Sequence, residues 1–285
     1  ILAIGMTLVT AASGGQDISV GAAIAISGSV VLRVLCGTES RPETLQAPII
    51  VAFIISCLVA MAFGAFNGTL VAYFKIQPMV ATLILFTAGR SIAAWINNNE
   101  LPIVSDVTFS YFGGFLPGIP IPTSFFIALA CMIATALIFK FTSLGLYIQS
   151  VGINENSARL NGLNPAFIKF ITYVILGLFV AVAGFIKVSR LSTINYSVVA
   201  KDIEMDAILA VALGGNALSG GKFNISASVI GAYVIQFLTT TLYKLEVSSD
   251  ALSAYKAIVV IVLVVMSAPI VKEKLAALMK IIKTK

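Results

Sequence analysis

Histidine is absent from the 285 residues, cysteine occurs three times, and charge is scarce. Without histidine the chain lacks the commonest general base and the commonest zinc ligand, which argues against a membrane metalloprotease. Cys36, Cys57 and Cys131 stand far apart, within or at the ends of apolar stretches. They lack the paired spacing of a disulfide framework or a metal site and read as small buried residues. Only 11% of residues are charged, against about 25% in soluble domains. A Gly-x-x-x-x-Gly-Lys-Ser/Thr phosphate loop is also missing, so nothing here reads as a nucleotide hydrolase.

What is present is apolar: 59% of residues are hydrophobic and the mean hydropathy is +1.04. Repeated runs near the roughly 20 residues that cross a hydrocarbon core imply membrane spans, built as helices or as a closed barrel. Barrel strands alternate apolar and polar residues, whereas stretches such as 49–66 and 257–266 are apolar on every side. The expected fold is therefore all-α and polytopic. Gly, Pro and charge clusters punctuate it into spans near 1–13, 20–36, 48–74, 78–97, 123–142, 166–188, 205–218, 223–243 and 254–271, some of them interrupted. These read as one transmembrane domain over 1–285. Because Ile1 opens in the middle of an apolar run without a methionine, a further helix is expected ahead of it.

A formal charge of +6 records orientation here rather than nucleic-acid binding. With one helix ahead of Ile1 and a cytoplasmic N-terminus before it, the turns at 14–19, 75–77, 143–165 and 219–222 and the tail from Lys272 face inward. That set holds ten basic residues, Lys75, Lys140, Arg159, Lys169, Lys222 and five in the tail, against seven outward. The loops at 98–122 and 189–204 are expected outside, too small for an independent domain. The segment 272–285 reads as a basic amphipathic helix at the anionic inner surface.

Two glycine-rich interruptions stand out: Gly14-Gly-Gln-Asp-Ile-Ser-Val-Gly21 and Gly214-Gly-Asn-Ala-Leu-Ser-Gly-Gly221. Polar, flexible backbone at depth persists where protein buries it or where it lines an aqueous path. The alternatives are a plain hairpin in which Asp17 caps the next helix, and glycines that simply let helices approach. For a solute path the candidates are Asp17, Asn67, Thr87, Arg90 and Ser91. Thr87, Arg90, Ser91 and Ala94 share one helical face, and an arginine in an apolar run needs a partner, water, or room to snorkel. Asp202, Glu204 and Asp206 read as acids at a helix start rather than a metal site, placed outside.

Between 142 and 165 the chain leaves the apolar pattern, with a helix-capable core, Glu155-Asn-Ser-Ala-Arg-Leu160, between glycines. Such an element, held away from the spans, suits docking into a partner's groove. This segment resembles the cytoplasmic coupling loop of the ribose/galactose-type permeases of ATP-driven, binding-protein-dependent sugar importers. Ala3-Ile-Gly-Met-Thr-Leu-Val, the Gly-Gly-x-Asp-x-Ser-Val-Gly turn, Gly64-Ala-Phe-Asn-Gly68, Ile76-Gln-Pro-Met-Val-Ala-Thr-Leu83 and Glu204-x-Asp-Ala-Ile-Leu-Ala-Val resemble that family in order, over essentially the whole chain. Lys75-Ile-Gln-Pro, Gly89-Arg, Val151-Gly-Ile-Asn and Gly221-Lys-Phe-Asn look like its galactofuranose-type members. Asn156-Ser157 and Asn161 depart from the family's usual residues in the loop.

The resemblance implies a non-enzymatic permease of the bacterial plasma membrane with no cofactor of its own, ATP being bound by a partner. The implied partners are an ABC ATPase subunit, a periplasmic or lipid-anchored sugar-binding protein that meets the outer loops, a second permease chain, and membrane lipid, with no nucleic acid. The implied ATPase contact is made by Gly152, Asn154, Glu155, Ala158, Arg159 and Gly162, the glycines shaping the loop and the charges making polar contacts. An ion-coupled secondary transporter is the competing reading, with Asp17 as its titratable group.

Overall fold

The computed structural model describes residues 1–248, 251–252, 254–259 and 261, and among them the chain is all-α, without strands. The amphipathic tail expected over 272–285 and most of the span expected near 254–271 lie outside the described residues. The helices are α1 (Leu2–Ser13), α2 (Val20–Cys36), α3 (Ile49–Ala72), α4 (Pro78–Ile96), α5 (Val107–Gly113), α6 (Thr123–Phe141), α7 (Leu144–Ile153), α8 (Glu155–Leu160), α9 (Pro165–Leu191), α10 (Ile203–Leu213) and α11 (Ile225–Lys244). Their starts follow local chemistry. Pro78 and Pro165 occupy the first helical turn, where a missing N–H costs nothing. Asn164 and Asn224 cap α9 and α11 by accepting from Phe167 N at 3.2 Å and Ala227 N at 3.1 Å.

Helices α3, α4, α6, α9 and α11 are long and apolar enough to cross a membrane. The shorter α1 and α2 are buried on nearly every side and form the centre of the bundle. Helix α9 packs against α1, α2, α3 and α5. Its most extensive contact is with α3, and small residues permit it: a Cβ added to Gly64 would fall on the Tyr173 carbonyl, and one on Gly177 would lie 2.5 Å from the Ala60 carbonyl. At one end Phe185 of α9 meets Phe53, Phe109 and Phe112 edge-on, with ring centroids 5.1–5.6 Å apart. Phe109 and Phe112 belong to α5, a seven-residue helix inside the stretch expected to be loop, begun by Asp106 accepting from Phe109 N at 2.7 Å.

The turns grouped as inward meet at one end. Gly15 lies against Pro78, Gly14 against Ser219, and Ser13, Lys75, Gln77, Asn154 and Arg159 border a common cavity. At the other end the 40, 100 and 192 regions join, with Ile103 N bonded to Ser40 O and Val104 N to Ser192 O, both at 2.9 Å.

Two expectations are corrected here. The span expected over 205–218 is an eleven-residue helix, α10, roughly 16 Å long, or about half a hydrocarbon core. The 189–204 stretch is not a simple external loop. After α9 ends, the chain turns back along α2, passing Gly28 at Ile194 (3.2 Å from an added Cβ) and Gly21 at Ala200 O (2.6 Å). The next residue of α2, Ala22, touches Gly89, the twelfth residue of the 19-residue α4. Ala200 therefore lies roughly 10 Å from the C-terminal end of α4, seven residues at about 1.5 Å each. Residues 192–213 form one discontinuous span, non-helical above and helical below.

Gly64→Val tests the α3–α9 contact. Overpacking there costs about 1–3 kcal/mol and is expected to lower the thermal midpoint in detergent, while Ala130→Val on the exposed α6 leaves it unchanged. Equal midpoints would remove this contact from the core.

Candidate coupling element and solute path

Gly152, Asn154, Glu155, Ala158, Arg159 and Gly162 lie together on α7, α8 and the turn after them. Asn154 ends α7 and caps α8, its Oδ1 accepting from Ser157 N at 3.0 Å. Gly162 takes a left-handed φ of 80° with no atom near its missing side chain, so it shapes the turn. Gly152 is different: it sits inside helical α7, and close approach explains it. A Cβ there would collide with the carbonyl oxygen of Ala11 and stand 2.6 Å from the amide of Gly221.

That point is a backbone junction. Gly221 N donates to Ala11 O at 2.9 Å, Gln16 Nε2 donates to Leu218 O at 3.2 Å, and a Cβ on Gly14 would lie 2.7 Å from Ser219 O. The two glycine-rich interruptions, some two hundred residues apart in sequence, thus cross each other, and α7 seats its last turn on the crossing.

Nor is α8 held away from the spans. Ala158 is 3% exposed and packs with Leu8, Ala11, Ala12, Ile148, Val151 and Ile168. Its opposite face carries Leu160, 89% exposed, a residue sequence reasoning passed over. Its position at the end of a six-residue helix was the available signal. Glu155 pairs with Lys169 at 2.6 Å and with Arg159 at 3.6 Å. The Lys169 hydrogen bond chiefly holds the Glu155 carboxyl below its ordinary value of 4.5. Behind this pair a cavity of about 400 Å³ is bordered by Ser13, Lys75, Gln77, Glu155, Arg159 and Lys169.

The five path candidates fall into separate places. Asp17 and Asn67 belong to one buried network: Asp17 Oδ1 accepts from Ser19 N at 2.8 Å and Ser19 Oγ at 2.6 Å, and Asn67 Nδ2 donates to Ser19 Oγ at 2.9 Å. Thr82 accepts from Ile18 N at 3.2 Å nearby. Thr87 and Ser91 lie on the exposed face of α4, away from that network, with Thr87 Oγ1 bonded back to Ile84 O at 2.9 Å. Arg90 does not snorkel to the surface. Its Nη1 donates to Tyr196 O at 2.7 Å and Val199 O at 2.9 Å, satisfying the non-helical half of the discontinuous span. Within the acidic cluster Glu204 is buried beside Gly21 and so is unavailable to an outside partner, while Asp206 pairs with Lys256 at 2.8 Å.

Non-helical backbone at this depth, buried on one face and bonded there by an arginine, is tolerated where protein covers it or where it lines an internal path. The architecture is that of a multi-pass membrane permease. Residues 1–268 match the family described as the branched-chain amino acid transport system / permease component, and the chain belongs to that family. It is 35% identical over 274 residues to the fructose import permease protein FruF of Bifidobacterium longum, covering 94% of this chain and 74% of that one. It is 39% identical over 269 residues to the galactofuranose transporter permease protein YtfT of Escherichia coli, covering 94% and 76%. With the ribose import permease protein RbsC of Escherichia coli it shares 35% over 268 residues, covering 93% and 80%. No solved structure matches the chain. With spans long enough to cross, such relatives place it in a bacterial plasma membrane.

Arg90→Gln removes two charge-assisted bonds of about 1.5–3 kcal/mol each. Amide hydrogen exchange over 197–203 is expected to quicken by at least about tenfold; unchanged exchange would mean the segment does not depend on Arg90. Glu155 makes a second test. Its lowered value means stability that is present above the ordinary carboxylate range and lost as pH falls through the lowered one. Wild type should therefore exceed Glu155→Gln in thermal midpoint at neutral pH, with the gap closing as the pH falls below the ordinary carboxylate range. A gap that widened in acid would reverse the sign.

Proposed function

We propose that the chain is the translocating subunit of an ATP-driven monosaccharide importer, moving solute while a separate ATPase subunit supplies the work. The observation that carries this is the build of α7–α8. A short helix is fixed from behind by Ala158 and by the Gly152 junction, and it presents Leu160 and Arg159 outward. An apolar knob beside a charged rim suits insertion into a groove on a partner. The sugar class is supported by the names of the relatives, which are permeases for fructose, galactofuranose and ribose.

In this reading Asn154 and Gly162 set the ends of α8, Glu155 and Arg159 hold its polar rim, and Gly152 passes its displacement to both interrupted helices. The Asp17–Asn67 network serves as an internal hinge rather than as a contact for sugar, whereas Thr87 and Ser91 border the path and Arg90 holds the non-helical segment beside it. A solute-binding protein delivers sugar at the opposite end, and a second permease chain, identical or similar, completes the pore.

The test is uptake by proteoliposomes containing this chain, its ATPase and its binding protein. Labelled sugar should accumulate with ATP and stop without it. Accumulation driven by an ion gradient in the absence of nucleotide would replace this reading with secondary transport. Leu160→Asp should reduce ATPase copurification about tenfold, as expected for a buried apolar anchor, with membrane insertion intact.

A further inference from the structure

The non-helical half of the discontinuous span has two faces. Its inner face is closed: Ile194, Tyr196, Val199 and Ala200 are buried, Arg90 takes the Tyr196 and Val199 carbonyls, and Ala200 abuts Gly21. Its outer face carries Ser197, Val198, Lys201 and Asp202, all exposed. Three of these are polar and two of them charged, at a level roughly 10 Å inside the C-terminal end of α4, seven residues at about 1.5 Å. Hydrocarbon would penalise both charges, and a carboxylate two bonds from the backbone is too short to snorkel. The backbone turns left-handed at Ala200 and Asp202, with φ of 52° and 63°. That geometry presents Lys201 and Asp202 outward while Ala200 stays in.

We infer that Ser197, Lys201 and Asp202 line the aqueous path and make its direct contacts with the solute, which is a neutral polyhydroxy compound. The chemistry of the set supports that class. An ammonium offers only donors, a carboxylate only acceptors, and a hydroxyl both. One positive and one negative charge together favour neither an anion nor a cation, and they suit a ring whose hydroxyls donate and accept in turn. Arg90 is a positioning residue, holding the segment from behind. The choice of a sugar rests on the proposed import function; the aqueous exposure does not.

Two measurements separate those parts. In a background with Cys36, Cys57 and Cys131 replaced by alanine, Ser197→Cys and Lys201→Cys are treated with a charged, lipid-insoluble methanethiosulfonate in membrane vesicles. Both are expected to react at least about tenfold faster than Leu137→Cys on the exposed apolar face of α6, since the thiolate forms only in water. Rates equal to Leu137→Cys would overturn the inference, whether lipid or protein covers the segment.

The second measurement is uptake of labelled ribose, fructose and galactose by the complete transporter, comparing wild type with Asp202→Asn, a residue that tolerates the same backbone angle. Loss of one hydrogen bond from a charged acceptor should change the ratio between carried sugars about tenfold. Unchanged ratios would overturn the contact role. A wild type that carries none of the three under ATP would count against the import reading, and the thiol rates would still decide whether the segment is wet.

Discussion

A broken helix inside hydrocarbon leaves amides and carbonyls that lipid cannot satisfy, so each break must be answered by another part of the protein. The bond from Gly221 N to Ala11 O is one such answer, and much of the bundle is arranged around it. It draws the end of α1 and the turn after α10 together, with Gly14 and Gly220 keeping side chains out of the way. The last turn of α7 then closes over the same point, so three distant segments share one contact made almost wholly of backbone. A contact of that kind has little slack, because protein interiors shift between packed arrangements more readily than they deform.

The same constraint shapes the opposite half of the discontinuous span. There the answer is a side chain, Arg90, which bridges two carbonyls of residues that are neither helix nor strand. Helix α10 begins just below, with Glu204 in its first turn beside Gly21, where an acid complements the positive end of the helix. One permanent interruption thus lies near each end of the bundle, joined by eleven residues of helix. A displacement at the inner junction has a short, stiff route to the segment along the proposed path.

The family relationship gives this geometry a context. Permeases named for fructose, galactofuranose and ribose share over a third of their aligned residues with this chain. In the function proposed for the chain, the short α8, with Ala158 inserted and Leu160 exposed, receives force at a surface and passes it inward through Gly152.

Hydropathy, punctuated by Gly, Pro and charge clusters, determined the class of fold and the places of seven helices, α1, α2, α3, α4, α6, α9 and α11, within a few residues, because the hydrocarbon medium acts on each stretch locally. Gly14, Pro78 and Pro165 marked ends for equally local reasons, and Glu155–Leu160 was legible as a helix between glycines. Helix α5, the depth of residues 192–202 and the partners of Arg90 were decided only by tertiary structure. So was the separation of Asp17 and Asn67 from Thr87 and Ser91, which a shared polarity had grouped together. The physical reason is one of range: a span is chosen by its own residues against the solvent, whereas a freed carbonyl or a missing Cβ takes its meaning from whatever the folded chain brings within a few ångströms, here from residues as far as 210 positions away, Ala11 and Gly221.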